Sequence, residues 1–210
     1  MDSSEFIERV RADNETALDR LGSEKALVAT TRAALDRETV LETAAAAEAR
    51  AAATFEMWAD DEADDGARDA FADTAARERD HYERVCELGD VSSDDPSVDE
   101  LHEELRALDD TAARIGGGLV ARPLVASRSL LQVINFFVNE GDSAAAETFR
   151  DLRAETDDQV EAGASLLEDV CESDDDWERA ASAAESVVEA AYSEYADSLD
   201  SLGIDPKPVC

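Results

Sequence analysis

The sequence predicts an all-α protein, an antiparallel bundle of long helices. Three observations carry that expectation. Apolar residues recur at alternating three- and four-residue steps almost throughout the chain, the period of a helix with one buried face. Strand-like alternation is absent. Only 9 glycines and 4 prolines punctuate 210 residues, so the segments between breakers are long.

Taken in order, a first helix fits about 4–21, with Phe6, Ile7, Val10, Ala17, Leu18 and Leu21 inward and Gly22 closing it. A shorter helix follows at about 24–35. The next helix opens on the capping box Thr39-Val40-Leu41-Glu42 and runs to about Ala59, before the acidic turn Asp60 to Gly66. Its partner ends near Leu88, with Gly89 at the cap. Asp90 to Pro96 reads as a loop, and Ser97-Val98-Asp99-Glu100 as a second capping box opening a connecting helix to about Ile115. Gly116-Gly117-Gly118 and Pro123 weaken or kink the start of an apolar helix through Leu130, Val133, Ile134 and Phe137, and close backbone packing would account for the glycines. That helix stops near Gly141, another runs on to about Val170, and a last one follows Ser173 with Trp177, Ala181, Ala184, Val188, Ala191, Tyr195, Leu199 and Leu202 on one face.

A helical hairpin, a long crossover and a second hairpin is the connectivity of a ferritin-like antiparallel four-helix bundle. Here it is flanked by additional N-terminal helices and a C-terminal fifth helix. The implied organisation is an N-terminal helical extension over 1–36 packing on the bundle, the bundle over 37–203 and a tail over 204–210.

With 53 acidic and 19 basic residues the formal charge is −34, and only Lys25 and Lys207 are lysines. The helical patterning argues against disorder, so the acidic coat reads as that of a folded protein in a high-salt cytoplasm, where salt screens its self-repulsion. No apolar run approaches the roughly 18 residues of a membrane span, and the basic and apolar regions of a secretory signal are missing from the first residues. Direct nucleic-acid binding is not expected, because a phosphate-binding surface needs a clustered basic footprint. Cys86, Cys171 and Cys210 form no C-x-x-C pair and read as reduced thiols.

The chemistry sits where the apolar stripes are interrupted. Glu48 breaks the stripe of Leu41, Ala44, Ala51, Phe55 and Trp58; Glu78 and His81, three residues apart on one face, break that of Phe71, Val85 and Leu88. Glu48 and Glu78 lie at similar distances from the intervening turn, so an antiparallel hairpin sets them at one height. Glu48-Ala49-Arg50-Ala51-Ala52-Ala53-Thr54-Phe55 with Glu78-Arg79-Asp80-His81-Tyr82 resembles the rubrerythrin family of the ferritin-like superfamily, in a haloarchaeal form. The resemblance implies half of a carboxylate-bridged di-iron centre, with Glu48, Glu78 and His81 as metal ligands.

The second half departs from the pattern. Residues 111–139 contain no Asp, Glu or His, the level of the site falls at Ala126 or Ser127, and Thr156 and Gln159 stand where the other Glu-x-x-His would be. Glu155 and Asp158 lie off the Phe149, Leu152, Thr156, Gln159, Gly163, Leu166 stripe. A six-ligand di-iron site is excluded, and no C-x-x-C pairs exist for a rubredoxin-like module.

Three readings of the remnant stand. It is a hydrogen-bonded polar cluster joined by Ser127, Thr156, Gln159 and Arg122 or Arg128; or a site for a single Fe, Mn or Zn ion; or a weakened dinuclear site into which Glu155 rotates. The first makes the protein a non-catalytic bundle acting through an unidentified protein partner or as a regulator. The metal readings make it a non-haem oxidoreductase handling peroxide or iron in oxidative stress. Resemblance to haloarchaeal chains described as transcription antitermination proteins adds a regulator acting through protein contacts. Self-association as a homodimer is left open. His102 reads as a surface histidine, Trp58, Trp177, Tyr192 and Tyr195 as packing anchors, and the Asp60 to Asp65 cluster as halophilic surface.

Overall fold

In the computed structural model every regular element among the described residues, 1–89, 91 and 98–207, is helical. Asp90, the loop residues 92–96, the Ser97 cap and the Pro208-Val209-Cys210 end lie outside them. No helix among the described residues is long and apolar enough to cross a membrane.

The N-terminal helix expected over 4–21 is two helices, α1 (Ser3–Asp13) and α2 (Glu15–Leu21). The break is chemical: the buried Asn14 turns its side-chain amide back onto the Val10 carbonyl at 2.9 Å, a local bond that competes with helix continuation. The second helix is shorter than expected, α3 (Lys25–Thr30), because Arg32 and Ala33 both take the left-handed conformation, with φ of 49° and 65°. These segments pack against the bundle, α1 on α9 (Ser143–Val170) and α10 (Asp174–Ser201), α2 and α3 on α8 (Arg122–Glu140) and α10.

Two long hairpins form the body. The first pairs α4 (Arg37–Asp61) with α5 (Asp65–Gly89), and the second pairs α8 (Arg122–Glu140) with α9 (Ser143–Val170). α4 begins ahead of its expected cap: Asp36 accepts from the Thr39 amide at 3.0 Å, and a carboxylate at the positive end of the helix outcompetes a threonine. α10 (Asp174–Ser201) opens on a Ser173/Asp176 capping box and buries Trp177, Ala184, Val188, Tyr195 and Leu199 along the bundle. Leu202, expected on that face, lies past the helix end and is exposed.

The crossover is not one helix. α6 (Glu100–Ala107) is capped by Asp99, and α7 (Thr111–Arg114) by Asp110; a π-helix, Ile115–Ala121, then leads directly into α8. The expected close approach at the glycines is real: a Cβ on Gly116 would stand 2.3 Å from the Ala180 carbonyl oxygen of α10. At the acidic turn, Glu62 is buried rather than surface, accepting from Thr111 Oγ1 at 2.9 Å and Arg114 Nη1 at 3.2 Å. The largest apolar cluster gathers Phe6, Phe55, Trp58, Phe71, Ile115 and Trp177; a second surrounds Leu41, Phe137 and Phe149. The carboxylate–histidine group lies between them.

Candidate metal centre

α4 and α5 bring Glu48, Glu78 and His81 together inside the bundle. Glu78 and His81 are fully buried and Glu48 is 7 % exposed, and the three offer ligand atoms that all lie within 4.8 Å of one another. His81 Nδ1 stands 3.8 Å from Glu48 Oε2 and 3.9 Å from Glu78 Oε2, too far for hydrogen bonds. Neither His81 Nδ1 nor Glu78 Oε2 has a hydrogen-bond partner among the described residues. Buried polar atoms are almost always paired, so two orphans facing the same gap demand a physical account.

The opposite side of each ligand is held. Glu78 Oε1 accepts from Arg122 Nη2 and from Gln159 Nε2, the latter at 2.9 Å, and Arg122 Nη2 also reaches Gln159 Oε1 at 3.2 Å. His81 Nε2 meets Glu155 Oε2 at 2.9 Å, and Arg84 Nη1 fixes the other Glu155 oxygen at 2.8 Å. A carboxylate on the outer imidazole nitrogen is the arrangement that orients a metal-ligating histidine and leaves its inner nitrogen free to coordinate.

The charges follow from this geometry. Burial pushes the Glu48 carboxyl up to about 7, with Glu78 adding like-charge repulsion. Burial would raise Glu78 too, but the Arg122 guanidinium, the neighbouring Glu48 carboxyl and the Gln159 amide outweigh it and hold that carboxyl down at about 2. Burial disfavours a charged His81, yet Glu48, Glu78 and Glu155 around it raise its affinity for a proton. The group as a whole thus favours positive charge in the gap between its three side chains.

Several expectations need correction. Glu155 stands half-exposed outside the gap, where it meets His81 Nε2. Ser127 and Thr156 are buried but serve elsewhere: Ser127 Oγ accepts from Arg153 Nε at 3.0 Å, and Thr156 Oγ1 donates to the Leu152 carbonyl at 2.9 Å. Arg128 lies beside Gly22, and Arg122 alone of the two arginines joins Glu78. His102 is no surface histidine. It is 5 % exposed, with Nδ1 2.5 Å from Asp99 Oδ1, while Asp99 Oδ2 lies 2.8 Å from Arg50 Nε. The signal for it was Asp99-x-x-His102 at a helix start, where one carboxylate both caps the helix and takes the imidazole. Cys171 is partly buried, which pushes its thiol up to about 11, far from a reactive thiolate.

No protein-family model, curated protein or solved structure matches the chain.

Proposed function

We propose that the chain is a rubrerythrin-like, ferritin-type helical bundle that keeps one half of a carboxylate–histidine centre and works as a single-ion metal-binding protein. Glu48, Glu78 and His81 would hold the ion. One observation carries the reading: Glu78 Oε2 and His81 Nδ1 are buried, unpartnered and turned towards Glu48. A first-row divalent ion bonded at about 2.0–2.2 Å sets its ligand atoms roughly 3–3.5 Å apart, so small side-chain shifts close the gap. Two carboxylates and one imidazole favour Fe, Mn or Zn over softer ions.

Arg122 supports one ion rather than two. Its guanidinium already places a positive charge on Glu78, from the helix that in a dinuclear centre would bring a further carboxylate. This favours a regulatory or partner-binding role in which the ion organises the bundle. When bound, such an ion supplies a Lewis acid and, for Fe or Mn, a one-electron couple. A second reading, a peroxide-handling oxidoreductase, draws support from Glu48, which also lines a cavity that could admit a small substrate.

The test is metal analysis of the full chain purified in molar KCl without chelators or a metal-affinity tag. About one Fe, Mn or Zn per chain, lost in the Glu78→Ala, His81→Ala double variant, is the expected result. Trace metal unchanged by the substitutions would sink the proposal. Peroxide consumption by the Fe- or Mn-loaded protein separates the oxidoreductase from the regulatory form.

A further inference from the structure

How many donor atoms the chain can give an ion between Glu48, Glu78 and His81 depends on what each side chain has already spent. Glu78 Oε1 accepts from both Arg122 Nη2 and Gln159 Nε2, so Glu78 cannot chelate and has Oε2 alone to give. His81 Nε2 is occupied by Glu155 Oε2 at 2.9 Å, which leaves the imidazole Nδ1 alone. Glu48 fills one coordination position, because the two oxygens of a single carboxylate span too small an angle to fill two.

Other donors near the gap are engaged. The group of carboxylates, thiols and imidazoles whose ligand atoms lie within 4.8 Å of one another ends, among the described residues, at these three. Gln159 Oε1 takes Arg122 Nη2 at 3.2 Å, Ser127 Oγ takes Arg153 Nε at 3.0 Å, and Thr156 Oγ1 turns to the carbonyl of Leu152.

Solvent reaches the group from one direction. The side chains of His81 and Glu78 are 0 % and 1 % exposed, that of Glu48 is 10 % exposed, and of the three only Glu48 lines the cavity of about 540 Å³ walled by α3, α4, α6, α8 and α10. Along α4 and α5 the group is bracketed by apolar residues, Phe55, Phe71 and Ala75 on one side and Leu41, Ala45 and Val85 on the other. Such walls offer a water molecule no hydrogen bonds, so a solvent ligand belongs on the Glu48 side. An opening the size of a tenth of one side chain suits one such ligand better than three.

Three protein donors and one position left to solvent is the count of an open four-coordinate site, the arrangement Zn²⁺ adopts. A six-coordinate ion such as Mn²⁺ on the same donors would need three further ligands. We propose that the site is four-coordinate and takes Zn²⁺ in preference to Mn²⁺ or Fe²⁺, with Arg122 and Gln159 determining that preference by holding Glu78 to a single oxygen. The inference rests on the metal-binding reading above and narrows it, since Zn²⁺ carries no one-electron couple and leaves the ion a structural or Lewis-acid role.

Cobalt tests it, because four-coordinate Co²⁺ absorbs visible light strongly and six-coordinate Co²⁺ only weakly. Co²⁺ is titrated into the chelator-treated full chain in molar KCl, and in parallel into the Glu78→Ala, His81→Ala double variant. A strong band is expected, saturating at about one Co²⁺ per chain, absent from the double variant, abolished by one equivalent of Zn²⁺ and retained in a roughly tenfold excess of Mn²⁺. Arg122→Met should weaken the band at full occupancy, as Glu78 regains its second oxygen. Co²⁺ held through Glu78 and His81 with only the weak absorption of a five- or six-coordinate ion, or displaced by that excess of Mn²⁺, overturns the inference and leaves the metal-binding reading standing. Co²⁺ held equally by the double variant, or not held at all, overturns both. The wild-type spectrum decides even if Arg122→Met fails to fold.

Discussion

Glu78 divides its two oxygens between two kinds of cation. One is committed to Arg122, while the other looks into the gap shared with His81 and Glu48. Removing one partner from a buried pair leaves the other charge uncompensated, which generally costs about 3–5 kcal/mol. Arg122→Met should therefore lower the urea midpoint in molar KCl by an amount of that order. Added Mn²⁺ should restore part of the loss, because an ion at the gap supplies the missing charge to the same carboxylate; wild type should gain less. Unchanged stability in the variant would mean that the pair contributes little. At this scale the three centre residues were legible in the sequence because a helix repeats: a carboxylate on an apolar stripe has nowhere to go but inward. Arg122 was harder, since its long side chain reaches the site from a backbone position a turn away from the level counted along the helix. Glu155 was harder still, because it belongs to the solvent face and touches His81 only with its tip.

At the scale of elements, the hairpins were readable from periodicity and caps, whereas the crossover was not. Its π-helix depends on a contact distant in sequence, the seating of Gly116 against Ala180 of α10, and no local pattern announces which backbone a glycine will meet. The structure separates two uses of glycine. Gly116→Ala pushes a methyl into a buried backbone carbonyl, and should destabilise by about 1–3 kcal/mol or more. Gly141→Ala meets open space but must hold φ near +75°, a strain of about 1 kcal/mol. Urea unfolding of the two variants should rank them in that order, and equal midpoints would contradict the packing described at the π-helix. The split of the N-terminal helix at Asn14 has the same lesson in miniature: its apolar stripe continues across the break, so periodicity alone runs the two helices together.

For the molecule as a whole, a charge of −34 on a bundle of this size opposes compaction wherever salt does not screen it. Exposed pairs such as Arg9–Glu178 and Arg79–Glu56 cannot offset that excess, being few beside the unpaired acids and weak in water. Helical circular dichroism should therefore fall when the protein is moved from molar KCl to dilute buffer and recover when salt is returned. A spectrum indifferent to salt would show that core burial alone is sufficient.

The lysine content, sparse as it is, has a spatial meaning. Lys25 Nζ donates to the carbonyls of Asp205 and Lys207, at 2.7 and 2.6 Å, so both lysines of the chain meet where α3 faces the segment after α10. The clasp joins early and late parts of the chain, Lys25 giving its amine and Lys207 a backbone carbonyl. Acylation of Lys25, whether by a reagent or by an enzyme, would remove the amine that fastens that clasp, making Lys25 reactivity a local gauge of whether it is closed.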